Sequence, residues 1–417
     1  MSRDNEPHRR AVTRAGIGPR LAARLAERQA AGLYRRLLCR DDPGGVHLRH
    51  AGMDLLSFCS NDYLGLATDA RLCKSLQCAA KEMSAGSGSA HLVAGHHRVH
   101  DQLEAALAAF VGRPRALLFS TGYMANLGVL GGLLQAGDVV VQDRLNHASL
   151  VDGGLLSRAR LMRYAHADWR AAEAALQSRP ESAALLATDG VFSMDGDQAP
   201  LNELAAICQM QGACFMVDDA HGIGVLGPGG RGTVAAAGLD AEEVPVLVGT
   251  LGKAFGTFGA FVAGSEALIE GLIQFARTYV YTTAMPPALA AATLTSVELV
   301  RAADEARAHL RQLVGQFRKG VTDLCERHPD RLRLMDSASP IQPLVVGNSG
   351  VAMALSERLK QQGLLVTAIR PPTVPIGTAR LRVTFSAQHS SAQVDQLLGS
   401  LESCVIEMTP ELASGNS

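Results

Sequence analysis

The chain has 417 residues, with 39 Lys and Arg against 40 Asp and Glu, for a net charge of −1 at pH 7. That balance offers no basic surplus to hold nucleic acid or another polyanion, and the length allows two domains, or one large domain with a smaller one. A hydrophobic content of 47% with 19% charged residues suits a globular enzyme rich in buried helix and strand, and no apolar run is long enough to span a bilayer.

In chain order, residues 1 to about 16 read as a loose polar arm without the apolar core of a signal peptide, so a cytoplasmic location is expected. Ile17 to Leu38 reads as a helix with Leu21, Leu25 and Leu33 near one face. A short strand at Leu55–Ser60 leads into the turn Asn61-Asp62-Tyr63-Leu64-Gly65. Gly86-Ser87-Gly88-Ser89 is a flexible loop, and Val99 to Val111 is an amphipathic helix with Leu103, Leu107 and Phe110 on its core side. Seven strands follow, at 116–120, 139–142, 161–164, 183–188, 213–218, 246–250 and 259–263, mostly separated by helix-length segments. That alternation predicts an α/β fold: a mostly parallel seven-stranded sheet with helices on both faces. Met285-Pro286-Pro287 breaks the chain before a long helical stretch from Ala288 to about Lys319. Past about 325, strands at 341–346, 365–369 and 379–385 alternate with helices at 351–361 and 392–408. The chain thus divides into an N-terminal arm and helix (1–60), a large domain (61–300) and a smaller C-terminal α+β domain (301–417). The eight cysteines form no CxxC pair and read as small buried hydrophobes in a reducing compartment.

Ligands of an open parallel sheet bind beyond the carboxyl ends of its strands, so the residues after each strand carry the functional reading. Thr121-Gly122-Tyr123 opens a helix, and free N–H groups at a helix N-terminus suit a phosphate, although a plain strand-to-helix turn has the same pattern. His147 follows the second strand, placed to stack on a flat ring or to serve the structure alone. Ser193 lies in a glycine-flanked turn. Asp218 ends a strand, with His221 three positions on. A buried carboxylate there needs a cationic partner, which a protonated pyridine nitrogen would supply; a metal site or a hydrogen-bonded structural pair are the other readings. Val246 to Gly259 places Lys253 among small and apolar residues, after Thr250 and Gly252. Partial burial favours a neutral, nucleophilic amine able to form a Schiff base; a strand-end lysine snorkelling to water is the alternative.

Two patterns are set aside. Gly222, Gly224 and Gly227 spell the dinucleotide fingerprint after a strand, but Pro228-Gly229-Gly230 follows in place of the helix that the motif requires. His91, His96, His97 and His100 have no recognised ligand spacing, so no metal is expected. The remaining groups, taken together, are the set that pyridoxal 5′-phosphate (PLP) requires.

At this point the chain resembles the α-oxoamine synthases, fold-type I PLP enzymes that join an amino acid to an acyl thioester with loss of carbon dioxide. The resemblance rests on SNDYLGL (60–66), GSGSAHLVAGHH (86–97), STGYMAN (120–126), DRLNHASL (143–150), DGVFSMDGD (189–197), VDDAHGIGVLG (217–227), GTLGKAFG (249–256), YTTAMPP (281–287) and AIRPPTVPIGTARLR (368–382). It implies that Lys253 forms the Schiff base with PLP, Asp218 pairs with the ring nitrogen, and His147 stacks on the ring. His221 and Ser193 would address the ring hydroxyl, while Gly122, Tyr123 and Thr250 hold the phosphate. Thr282 would reach the phosphate of a neighbouring subunit in a homodimer with its site at the interface. Asn61 and Arg370 would hold the amino acid carboxylate, and Arg35 (or its neighbour Arg36) and Thr373 would contact the acyl substrate. The stretch from Ile369 to Pro375 resembles the members that use L-alanine and a pimeloyl thioester, carried on CoA or on acyl carrier protein, more than the glycine-using members.

Overall fold

The structure is a computed structural model that describes residues 16–329 and 331–407. The expected carboxyl end of the last helix, Met408, and the arm before Gly16 lie outside the described residues.

The large domain is built on a seven-stranded sheet in the order Arg115–Phe119, Ala260–Gly264, Val246–Thr250, Cys214–Asp218, Ala184–Asp189, Val139–Asp143, Arg160–Tyr164. Five strands run parallel in register. Ala260–Gly264 is reversed and pairs antiparallel with a neighbour on each side. Val139–Val141, Leu185–Ala187, Phe215–Val217 and Val246–Val248 are all at most 2% exposed. A strand covered by helices on both faces has no polar side to keep, which is why these segments read as unbroken apolar runs. Asp189 sits opposite Asp218, and Asp218 opposite Val248, so the carboxyl ends of three central strands open onto one crevice.

The C-terminal part carries a four-stranded antiparallel sheet, ordered Arg333–Leu334, Ile341–Gly347, Ala379–Thr384, Thr367–Ile369. A third, three-stranded sheet joins distant parts of the chain: the hairpin His47–His50/Met53–Ser57 accepts Leu364–Leu365 as a parallel partner of Met53–Ser57.

Two helices differ from expectation. The first ends at Ala30, not Leu38, because Gly32 takes φ 66° and the Leu33 N–H turns back to the Arg28 carbonyl. None of its residues is buried. The long stretch after Pro287 is two helices, Pro287–Arg301 and Asp304–Arg327. The break falls at Ala302-Ala303, where buried Arg307 turns back to the Val300 carbonyl and to Asp304.

Candidate active site

The lysine loop is shaped by a close approach. Gly256 has φ 65°, and a Cβ there would lie 2.4 Å from the Ala67 amide nitrogen. Only glycine lets the loop after Lys253 pack against the turn that follows Asn61. Lys253 as a residue is half-buried, but its amine is turned inward, 2.8 Å from His221 Nε2. Burial lowers its pKa to about 8, against the opposing pull of Asp218 and Asp189. The snorkelling alternative does not fit an amine so placed.

His221 is fixed from both sides, because its Nδ1 is 2.6 Å from the hydroxyl of fully buried Tyr63. Burial, with the nearby Lys253 and Arg382 charges, holds its pKa well below the usual histidine range. A neutral ring between a lysine and a tyrosine has no nitrogen left for a metal, which removes that reading of the Asp218–His221 pair. The turn beneath them needs its glycine: a Cβ on Gly222 would lie 2.1 Å from Asp219 Oδ1.

Asp218 is buried at the floor of the crevice, 5% exposed. Its Oδ1 accepts the Ala220 N–H at 3.1 Å, and its Oδ2 accepts Asn126 Nδ2 at 2.6 Å. The same Asn126 amide donates to Ser149 Oγ at 2.8 Å, and Ser149 Oγ is 2.7 Å from His147 Nδ1. Asp218 and His147 are thus joined through two buried side chains. The His147 backbone N–H donates to Asp189 Oδ2 at 2.6 Å, and the residue as a whole keeps an exposed surface.

Gly122 and Tyr123 begin the helix Gly122–Leu133, whose N-cap Thr121 takes the Met124 N–H. First-turn N–H groups have no intrahelical acceptor, and the space where a Gly122 Cβ would stand is open within 4 Å. Thr250 ends the neighbouring strand with its hydroxyl toward Gly259 O and the Gly252 amide. Open space before a helix N-terminus, a strand-end hydroxyl, a buried carboxylate and an inward lysine fit the phosphate, ring nitrogen and aldehyde of PLP.

The substrate residues separate into two places. Asn61 Oδ1 accepts from Arg382 Nη2 at 3.2 Å, and Arg382 Nε donates to the Ser193 carbonyl at 2.6 Å. Arg370 does not meet Asn61; its guanidinium donates to the Gly32 carbonyl. Arg35, Arg370 and Thr373 instead line a separate cavity of about 240 Å³ with Leu33 and Pro371. Thr282 is half-buried in the turn that bridges Thr283 to Ala90. Tyr63, Asn126, Ser149, Asp189 and Arg382 were missed as site residues. Each stands inside one of the motifs, but the motif alone did not show which of its side chains turn inward.

The chain matches the family described as aminotransferase class I and II over residues 53–401, and it belongs to that family. Within it, the chain is similar to 8-amino-7-oxononanoate synthases: that of Pseudomonas putida is 58% identical over 387 residues, which cover 92% of this chain and 97% of the relative. A solved 8-amino-7-oxononanoate synthase from Francisella tularensis is 32% identical with a TM-score of 0.73, covering 85% of this chain and 99% of that one. Serine palmitoyltransferase from S. paucimobilis, solved with a bound PLP–myriocin aldimine, is 28% identical with a TM-score of 0.88, covering 95% of this chain and 100% of that one.

Proposed function

We propose that this chain is a PLP-dependent acyltransferase that condenses L-alanine with a pimeloyl thioester to 8-amino-7-oxononanoate, carbon dioxide and the free thiol carrier, a step of biotin biosynthesis. The observation that carries the reading is the buried Lys253 amine held against neutral His221, beside a buried Asp218 anchored by Asn126. The similarity to 8-amino-7-oxononanoate synthases over nearly the whole chain supports the choice of substrates.

Bound at Lys253, PLP supplies an electron sink for the bond breaking at the amino acid α-carbon. The chain's own residues do the rest. The Gly122 and Tyr123 amides and the Thr250 hydroxyl would take the phosphate. Asp218, its orientation fixed by Asn126, would keep the ring nitrogen protonated. His147 would stack on the ring, and His221 and Ser193 would face its hydroxyl. Once the amino acid displaces it from PLP, the Lys253 amine, whose protonated form burial disfavours, would take the proton from the α-carbon and return it to the product. Buried Arg382, beside Asn61, presents the guanidinium for the amino acid carboxylate. Arg370, Arg35 and Thr373 line the place for the acyl chain's far end. A homodimer, with Thr282 reaching the neighbouring subunit's phosphate, and a cytoplasmic location complete the proposal. No helix among the described residues is long and apolar enough to cross a membrane, and the cysteines are free thiols.

The test is direct: purified protein with PLP, L-alanine and pimeloyl-CoA is assayed by mass spectrometry for 8-amino-7-oxononanoate, with glycine and shorter acyl-CoAs as competitors. Preference for glycine over alanine would overturn the proposal.

A further inference from the structure

Away from Lys253, several ionisable side chains converge on His96. His91 opens the short helical turn His91–Gly95, His96 follows in extended backbone, and the helix Arg98–Val111 contributes Asp101 and Glu104, three positions apart on one face. The candidate ligand atoms of His96, Asp101 and Glu104 all lie within 4.8 Å of one another. His96 Nε2 is 2.9 Å from Asp101 Oδ1, and His96 Nδ1 is 2.7 Å from His91 Nδ1. His91 is 8% exposed and stacks on Tyr279 at 5.1 Å. At 2.7 Å, one of the two facing Nδ1 atoms donates and the other accepts, and His91 can be the acceptor. Glu104 accepts the Leu118 N–H at 3.0 Å. His100 is spent elsewhere: Nδ1 accepts the His97 N–H and Nε2–H donates to the Met285 carbonyl.

We propose that His96 Nε2, Asp101 and Glu104 bind one divalent transition metal of the zinc class, with His91 as the outer partner of His96. One imidazole and two carboxylates form a nitrogen–oxygen set that suits such an ion, and the two negative charges balance it. Metal–ligand bonds of about 2.0–2.2 Å would set the three ligand atoms about 3.3 Å apart, a small adjustment that opens the His96–Asp101 pair from 2.9 Å and keeps all three within their present 4.8 Å. A ligating histidine ordinarily donates its other ring N–H to a fixed acceptor, and His91 Nδ1 stands at that position. The ion would bring a positive charge to the half-buried Glu104 and the exposed Asp101 together. It would also tie the His91–His97 segment to the helix. Through the Ala284 N–H to the Ser89 carbonyl, 3.0 Å, this segment is joined to the turn that holds Thr282.

The experiment uses untagged, PLP-loaded protein stripped with chelator and titrated with Zn2+ by calorimetry and with Co2+ by absorbance. One equivalent per chain is expected, with a rise in unfolding temperature. His96→Ala and Glu104→Gln should abolish it, and His91→Phe, which keeps the stack on Tyr279, should weaken it about 10- to 100-fold. Asp101 is exposed, so Asp101→Asn removes a ligand without disturbing the core; it should also cost the equivalent. PLP absorbance and condensation activity of each variant report whether it is folded. Absence of Zn2+ uptake by the wild type, uptake that survives both His96→Ala and Asp101→Asn, or Co2+–thiolate charge-transfer bands from a cysteine site would each overturn the proposal.

Discussion

The Lys253 amine and the Tyr63 hydroxyl sit on opposite nitrogens of the same imidazole, that of His221, at 2.8 and 2.6 Å. Tyr63 has no exposed surface, so its hydroxyl has no water to turn to. Tyr63→Phe leaves His221 Nδ1 without that partner in a buried site. About 1–3 kcal/mol of stability should be lost, read as a lower denaturation midpoint of the PLP-loaded protein. An unchanged midpoint would mean that the ring is held by something else.

On the proposed function, Lys253→Ala removes the group that would anchor PLP and move the α-proton. Proton transfer by a positioned side chain contributes about 10²–10⁴-fold, so turnover of alanine and pimeloyl-CoA should fall by at least that factor while the far-ultraviolet circular dichroism stays the same. Turnover within a few-fold of wild type would remove Lys253 from its role.

Asn126 gives one of its N–H groups to Asp218 and has no exposed surface. A hydrogen bond to a charged group contributes about 1.5–3 kcal/mol. Asn126→Ala should therefore weaken PLP retention about 10- to 100-fold, measured by dialysis and fluorescence, without a matching change in KM for the acyl thioester. An effect on the thioester alone would contradict the bridge.

Arg382 and Arg370 should separate kinetically. Lysine cannot reproduce the guanidinium fork that reaches both Asn61 and the Ser193 carbonyl, so Arg382→Lys should raise KM for L-alanine. Arg370→Lys, altered in the other cavity, should act on KM for the acyl thioester. Steady-state kinetics with each substrate varied in turn distinguishes them, and an Arg370→Lys effect confined to alanine would reverse the assignment.

His166 lies between Asp143 and Asp197, at 3.1 and 2.7 Å. Burial disfavours its charge, but the hydrogen bonds and attraction of the two carboxylates outweigh it and push its pKa from 6.5 up to about 10. A raised pKa means that the native state holds the proton more tightly. The stabilisation is complete below pH 6.5 and is lost as pH rises toward 10. Thermal melts of the wild type between pH 6.5 and 10 should fall more steeply than those of His166→Gln; parallel curves would show that His166 is not protonated.

The parallel sheet was legible because strands covered on both faces must be apolar throughout, as Val139–Val141 and Phe215–Val217 are. The order of chemical groups was legible because each follows a strand's carboxyl end: His147, Asp218 and Lys253 all meet where expected. Contacts across distant segments were not. Arg370 and Arg382 are both arginines of the same motif, and only the folded chain gives Asn61 to Arg382 and turns Arg370 toward the Gly32 carbonyl. The exposed first helix misled for a related reason, since its apolar spacing implies a buried face and the break at Gly32 depends on a left-handed backbone that spacing does not encode. The four histidines were set aside on spacing alone, and spacing does not encode the turn that brings His91 Nδ1 within 2.7 Å of His96 Nδ1.

The pairing of Met53–Ser57 with Leu364–Leu365 has a consequence during synthesis. About 300 residues separate the two partners, which at about 5–20 residues per second is roughly 15–60 s of translation. Throughout that interval the Met53–Ser57 edge that Leu364–Leu365 later covers stays open, the kind of edge that recruits foreign strands. A nascent chain stalled before Gly363 should therefore be the aggregation-prone species, and a chaperone that shields residues 47–57 would matter most for its yield.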